Sequence, residues 1–440
     1  MNKIKGKSLK KIISKTLYSG CTFYLDEDKA HNITDSTFEN CSFRTNVTLR
    51  RLERCEFINC GFSGSIIIDL TETELQEIPP CLFNLPFVSE LHLGYNNLEH
   101  LPEEIALLQN LESLNLTTNQ LQSIPKELGA LHKLTILDLS FNQIDNFTTE
   151  IATLQNLKCL DLVGNELREL PKEIDQLQNL EELFLGANKI RSLPPEIGKL
   201  SNLRELLLGN NMVKHIPHEI EGLHNLETLS LASSNLAIFP KDICKLHNLR
   251  VLNIDLNSIQ HLPEEIGQLT KLEILDLKSN QLEKLPPQIG QLQQMKELNL
   301  NYNEMKSLPK EIGQLQQLQM LELHGNGITH LPEEIGQLQS LQTLDLTSNH
   351  IKNLPTSIGK LQNLNSLRLG HNFIENLPVE LVKLKNLYVI ELESNKIKTL
   401  PPEISQCANL NILILDNNKI EEKTQRKIQS WLPDCQVMFD

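Results

Sequence analysis

The sequence predicts an α/β solenoid: one parallel β-sheet, with short helical or 3₁₀ turns on the opposite side. Three observations predict it. A 23-residue segment recurs sixteen times from residue 65 to residue 432, without insertion or deletion. Positions 3 to 7 of each repeat alternate polar and aliphatic residues, the pattern of a short strand with one buried face. Leu-Pro at positions 14 and 15 then precedes segments such as Glu103-Glu104-Ile105 and Pro195-Glu196-Ile197, where proline introduces a helical turn.

Each position of the repeat has a physical task. In the repeat beginning at Leu157, aliphatic residues fall at Leu157, Leu160, Leu162, Leu167, Leu170, Ile174 and Leu177. All strands run in one direction, so they must stack as a parallel sheet. Position 9 is asparagine in fourteen repeats: Asn96, Asn119, Asn142, Asn165, Asn188, Asn211, Asn257, Asn280, Asn303, Asn326, Asn349, Asn372, Asn395 and Asn418. A buried amide both donates and accepts, so these residues are expected to form a ladder that satisfies the backbone where the chain leaves the strand. Ser234 takes that slot in one repeat, and Phe147-Thr148 replaces Leu-Pro in another. One repeat cannot stand alone. Burying an aliphatic side chain is worth about 1.5–3 kcal/mol, whereas ordering each residue costs about 1.5 kcal/mol, so neighbours must cover both faces.

The pattern Leu-x-x-Leu-x-Leu-x-x-Asn-x-Leu-x-x-Leu-Pro-x-x-Ile-Gly-x-Leu-x-Asn resembles the leucine-rich repeat proteins, specifically the 23-residue type of bacterial proteins and plant Ras-group proteins. The resemblance implies a right-handed horseshoe with its sheet on the concave face and its helical or 3₁₀ turns on the convex face. It also implies recognition of a protein partner on the concave face.

The terminal repeats need covers. Residues 1–20 read as a basic tail, with six lysines from Lys3 to Lys15 that are expected to fray or to form an amphipathic helix. Residues 21–64 place Phe38 and Phe43, and again Phe57 and Phe62, five residues apart with Cys or Ser alongside. That spacing resembles the pentapeptide-repeat β-helix and implies a short cap. The repeats occupy 65–419. Residues 420–440 read as a closing helix and strand, with Trp431 as a lid over Leu413 and Leu415.

Composition narrows the function. The chain has 41 basic and 56 acidic residues, a net charge of −15, which opposes binding to nucleic acid. Membrane contact is expected only of the basic tail. No apolar stretch follows the basic start as a secretory signal requires, and the nine cysteines are an odd set placed among core residues. A cytoplasmic setting is therefore expected; the alternative is export by a non-Sec route. Phosphate-binding, nucleophile-elbow, zinc-protease and kinase signatures are absent. Cys159 lies beside carboxylates that would raise its pKa. No catalytic, metal or cofactor residues are assigned, and the chain is expected not to be an enzyme.

Strand positions 3, 5, 7 and 8 face away from the core. Most are polar, but Ile136, Phe141, Val163, Phe184 and Leu207 gather in neighbouring repeats and read as a binding patch. Asp138, Asp161, Glu182 and Glu205 rim it and favour a partner with a basic surface. The expected function is a non-catalytic protein-interaction scaffold, with an intracellular signalling role implied by the Ras-group likeness. The alternative is a secreted or surface bacterial effector or adhesin that binds a host protein.

Overall fold

The computed structural model describes residues 2–27, 29–85 and 87–439. It divides into two compact bodies, one of residues 1–212 with 217–223 and the other of 213–216 with 224–440.

The first body begins with coils cored by aromatic rings. Asn2–Lys5, Thr16–Ser19, Thr37–Glu39 and Glu56–Ile58 form one parallel sheet, and Ser8–Leu9, Thr22–Phe23, Ser42–Phe43 and Gly61–Phe62 form a second. Each sheet sends one column of rings inward. Tyr18, Phe38 and Phe57 stack at 5.0 and 4.8 Å, and Phe23, Phe43 and Phe62 stack at 4.7 and 4.6 Å. Edge contacts between the columns, such as Tyr18–Phe23 at 5.2 Å, complete the core.

Residues 2–20 are thus not the frayed or helical tail that the charge of this segment predicts. Asn2–Lys5 pairs in register with Thr16–Ser19, and the hydroxyl of Tyr18 accepts from Ile13 N at 2.7 Å and donates to Ile13 O at 3.1 Å. Alternation governs this segment, placing the lysines outside while Tyr18 enters the core. Lysines along an open strand edge also discourage pairing with another chain.

The third strand row passes into the repeats: Ala30–Thr34 pairs with Val47–Glu53, which pairs with Ile66–Asp69. Parallel strands then follow at every repeat, from Val88–His92 to Glu205–Leu207 in the first body. In the second body they run from Thr228–Ser230 to Ile412–Ile414, and Gln436–Met438 adds the last. The opposite side carries 3₁₀ turns, mostly of five residues, and position-18 residues such as Ile174 and Ile312 are fully buried there. Proline sets the extended residue before every described turn except Ile151–Thr153; at Pro171 φ is −72° and ψ 157°. Where Thr148 replaces proline, the turn shrinks to Ile151–Thr153.

Asparagine ladders tie the coils together. Asn188 Nδ2 donates to Leu162 O at 2.8 Å in the preceding repeat and to Leu185 O at 3.1 Å in its own, while its Oδ1 accepts from Leu167 N at 3.0 Å. The same set recurs at Asn303 and Asn395. Ser234 keeps only a short bond from its hydroxyl to Ala232 O, at 3.3 Å. A second ladder runs at position 23, where Asn179, Asn202, Asn363 and Asn386 each donate to a carbonyl of the previous repeat at 2.7–2.8 Å.

Position 8 is left-handed throughout: Tyr95, Phe141, Ala187, Leu256 and Tyr302 all have φ between 52° and 56°. Successive 3₁₀ turns approach closely at position 19. A methyl at Gly290, Gly313 or Gly336 would run into backbone carbonyls of the next turn.

The C-terminal helix Glu422–Trp431 buries Ile428 completely and Trp431 only partly. Ile428, not the tryptophan, is the side chain that seals this end.

Candidate protein-binding face

On each strand, positions 4 and 6 turn inward and positions 3 and 5 turn outward. Leu137, Leu160, Leu183 and Leu206 are fully buried, so their neighbours form two outward rows. Ile136, Cys159, Glu182 and Glu205 stand in one row, and Asp138, Asp161, Phe184 and Leu207 in the other. Neighbours within a row are about 4.8 Å apart.

Register divides the five apolar residues instead of joining them in one patch. Phe184 and Leu207 are direct partners on adjacent strands, both half-buried. Phe141 and Val163 lie at the turn that leaves the strand, linked by a hydrogen bond from Phe141 N to Val163 O at 2.7 Å. Ile136, 45% exposed, stands in the other row beside Cys159, with Asp138 two residues along its own strand. Phe141 is 58% exposed, the most open of the five.

The carboxylates carry a second task that sequence reasoning missed. Asp and Asn at position 5 accept a hydrogen bond from the backbone N–H two residues later, closing the turn. Asp138 does so with Ser140 N and Asp161 with Val163 N, both at 2.9 Å, and Ser140 Oγ adds a bond to Asp138 at 2.6 Å. Asn115, Asn253, Asp276, Asn299 and Asp345 repeat the bond. The recurrence of short polar side chains at position 5 was the available signal. Phe184 and Leu207 occupy this position and cannot make that bond, so their repeats exchange a turn contact for half-buried apolar surface.

Electrostatics here favour cations. Burial pushes the Asp161 carboxyl up to about 6, and the neighbouring Asp138 adds to the effect. Cys159 is pushed up to about 12, first by burial, then by its hydrogen bond to Glu182 and by the charges of Glu182, Asp161 and Asp138. A thiol in that setting is a poor nucleophile. Glu182 and Glu205 are direct strand partners. Glu181, beside them, is paired with Lys158 at 2.9 Å.

The second body presents Asp276, Glu322, Asp345 and Glu391 on its outward row, but much of that charge is engaged. Arg368 lies 3.7 Å from Asp345 and 3.5 Å from Glu391, and Asn299 donates to Asp276 at 3.3 Å. Among the described residues, no group of three or more His, Cys, Asp or Glu is placed to hold a metal ion, and no helix is long and apolar enough to cross a membrane.

Comparison with known proteins fits this architecture. The leucine-rich repeat region model matches residues 144–258, 237–326 and 310–374. The leucine rich repeat model matches 67–121, 86–144, 109–167 and 362–420. A leucine-rich repeat protein of Leptospira interrogans is 40% identical, covering 83% of this chain and 99% of its own, with a TM-score of 0.72. A plant peptide hormone receptor, solved in complex with its peptide, is 24% identical over 100% of this chain and 68% of its own, with a TM-score of 0.70. An internalin of Listeria monocytogenes is 23% identical over 77% of this chain and 89% of its own, with a TM-score of 0.60. Comparison with curated proteins found no match. Matched repeat by repeat across the strands, turns and asparagine ladders described above, the chain belongs to the leucine-rich repeat family.

Proposed function

We propose that this protein is a non-catalytic scaffold that binds a protein partner with a basic surface on the outward sheet face of its first body. The observation that carries the reading is the in-register pair Phe184–Leu207. It sets an apolar anchor where neighbouring repeats carry Asp138 and Asp161, and it is flanked by Glu182 and Glu205. An anchor bordered by acceptors suits a partner that combines an apolar side chain with lysine or arginine. The peptide-bound plant receptor with the same fold is a precedent for ligand recognition on such a scaffold.

The repeats are those of the 23-residue type in this reading, and the aromatic-cored coils act as the cap that closes the first end. The setting we propose is cytoplasmic, with a signalling role; recovery of a C-terminally tagged protein from the medium or cell surface would favour the exported alternative instead. The binding test is crosslinking and pull-down with the parent chain and a Phe184→Glu variant. Loss of a specific basic partner, with unchanged circular dichroism and melting, supports the reading. Undiminished capture by the variant overturns it.

A further inference from the structure

A groove of about 650 Å³ opens along the strand-entry rim of the second body, remote in sequence from the Phe184–Leu207 pair. Its floor is the row of position-2 residues Gln342, Asn365, Tyr388 and Asn411. The backbone holds them in step, through Asn365 N to Gln342 O at 2.8 Å, Tyr388 N to Asn365 O at 2.8 Å and Asn411 N to Tyr388 O at 2.9 Å. Asn386 and Asn409 line the side of the groove, and Asp434 brings its one carboxylate. Their Nδ2 groups are spent on the second ladder, at 2.8 and 2.7 Å, which leaves their carbonyl oxygens as acceptors.

The same rim is built differently in other repeats. Position 2 carries Lys158 and Glu181, paired at 2.9 Å, and Arg250, Glu273 and Lys296, linked at 2.6 Å. From Gln319 onward the row loses every charge: Gln319, Gln342, Asn365, Tyr388, Asn411. The amides of Gln342, Asn365 and Asn411 are exposed and make no side-chain hydrogen bond to any described residue. Tyr388, 44% exposed, is the one ring in the row.

We propose that this groove binds an uncharged oligosaccharide. Neutral amides offer donor and acceptor together, which suits the vicinal hydroxyls of a sugar, and Asp434, the one charged residue of the lining, adds an acceptor for a hydroxyl while repelling an anionic ligand. An exposed ring among them offers a flat apolar surface to the C–H face of a pyranose. Amides repeating at about 4.8 Å along the row match the spacing of successive rings in an extended β-linked chain. The cavity lies within the range of small-molecule sites, about 300–1,000 Å³.

The test applies the full-length protein to an array of neutral and acidic glycans, then titrates chitotriose and cellotriose by NMR. Binding to uncharged β-linked oligosaccharides, weakened roughly tenfold or more by Tyr388→Ala and retained by Tyr388→Phe, supports the proposal. Tyr388 is exposed, so the fold survives either change. Three outcomes overturn it: no oligosaccharide binds, Tyr388→Ala binds as well as the parent, or only acidic glycans or peptides occupy the rim.

Discussion

The ring of Phe141 lies against Gly164, its counterpart in the next repeat: a methyl at Gly164 would stand 2.7 Å from Phe141 Cδ1. Tyr302 and Gly325 repeat the arrangement in the second body, where the same methyl would stand 2.8 Å from the ring. Position 8 is left-handed in both repeats of each pair, with φ of 53° and 69° at Phe141 and Gly164. At these two places the ring fills the space that a side chain in the next repeat would take, whereas Tyr95 is followed by Thr118. Gly164→Ala should destabilise by about 1 kcal/mol or more, through strained φ and a displaced ring. Urea melts of Gly164→Ala, Phe141→Ala and the double variant would measure the coupling, and the double variant should lose less than the sum.

The position-9 amide is buried and fully used, whereas the position-23 amide is exposed. Asn303→Ala removes donors to Leu277 O and Leu300 O and the acceptor for Leu282 N. Each stranded group costs about 1–3 kcal/mol. Asn363→Ala removes one exposed bond, to Gln339 O at 2.7 Å, and should cost under about 1 kcal/mol. Denaturant midpoints that rank the two the other way would refute this division of labour.

Close turn packing predicts a further contrast among glycines. Gly313→Ala drives a methyl toward the backbone carbonyl of Glu334, while at Gly61 the nearest atom is Ser42 Oγ at 4.0 Å. Thermal unfolding should show a clear loss for the first variant and little change for the second.

Asp161 sets a pH dependence of known sign. Its carboxyl is raised to about 6 in the folded state by burial. The folded protein therefore holds this proton more tightly than the unfolded chain does. That contribution is fully present below the unfolded carboxylate range, near pH 4, and is lost as pH rises through about 6. Asp161→Asn keeps an acceptor for Val163 N and avoids the buried charge. It should stabilise by about 1 kcal/mol near pH 7.5, after allowance for solvent screening, and by little near pH 4. Denaturant titrations at the two pH values check it.

At the C-terminal end, Ile428 is fully buried and Trp431 only partly so. Ile428→Ala should cost about 2–5 kcal/mol and loosen the helix from the last 3₁₀ turn, Pro402–Gln406, on which it packs. Trp431→Ser should cost less. Light scattering and melting of the two variants would reveal the ranking.

The sequence by itself determined the period, the parallel strands, the turn positions and the position-9 amides, because each task is local and is repeated in every coil. Charge misled at the N-terminus. There, lysine density masked a strand pattern whose buried member, Tyr18, is recognisable only once Phe23 and Phe38 are stacked around it. Tertiary structure alone decided register, and register is a relation between coils. It joined Phe184 to Leu207, separated both from Ile136, gave Asp138 and Asp161 to their own turns, and left Tyr388 among unengaged amides on a rim that is charge-paired at Lys158–Glu181 and Arg250–Glu273.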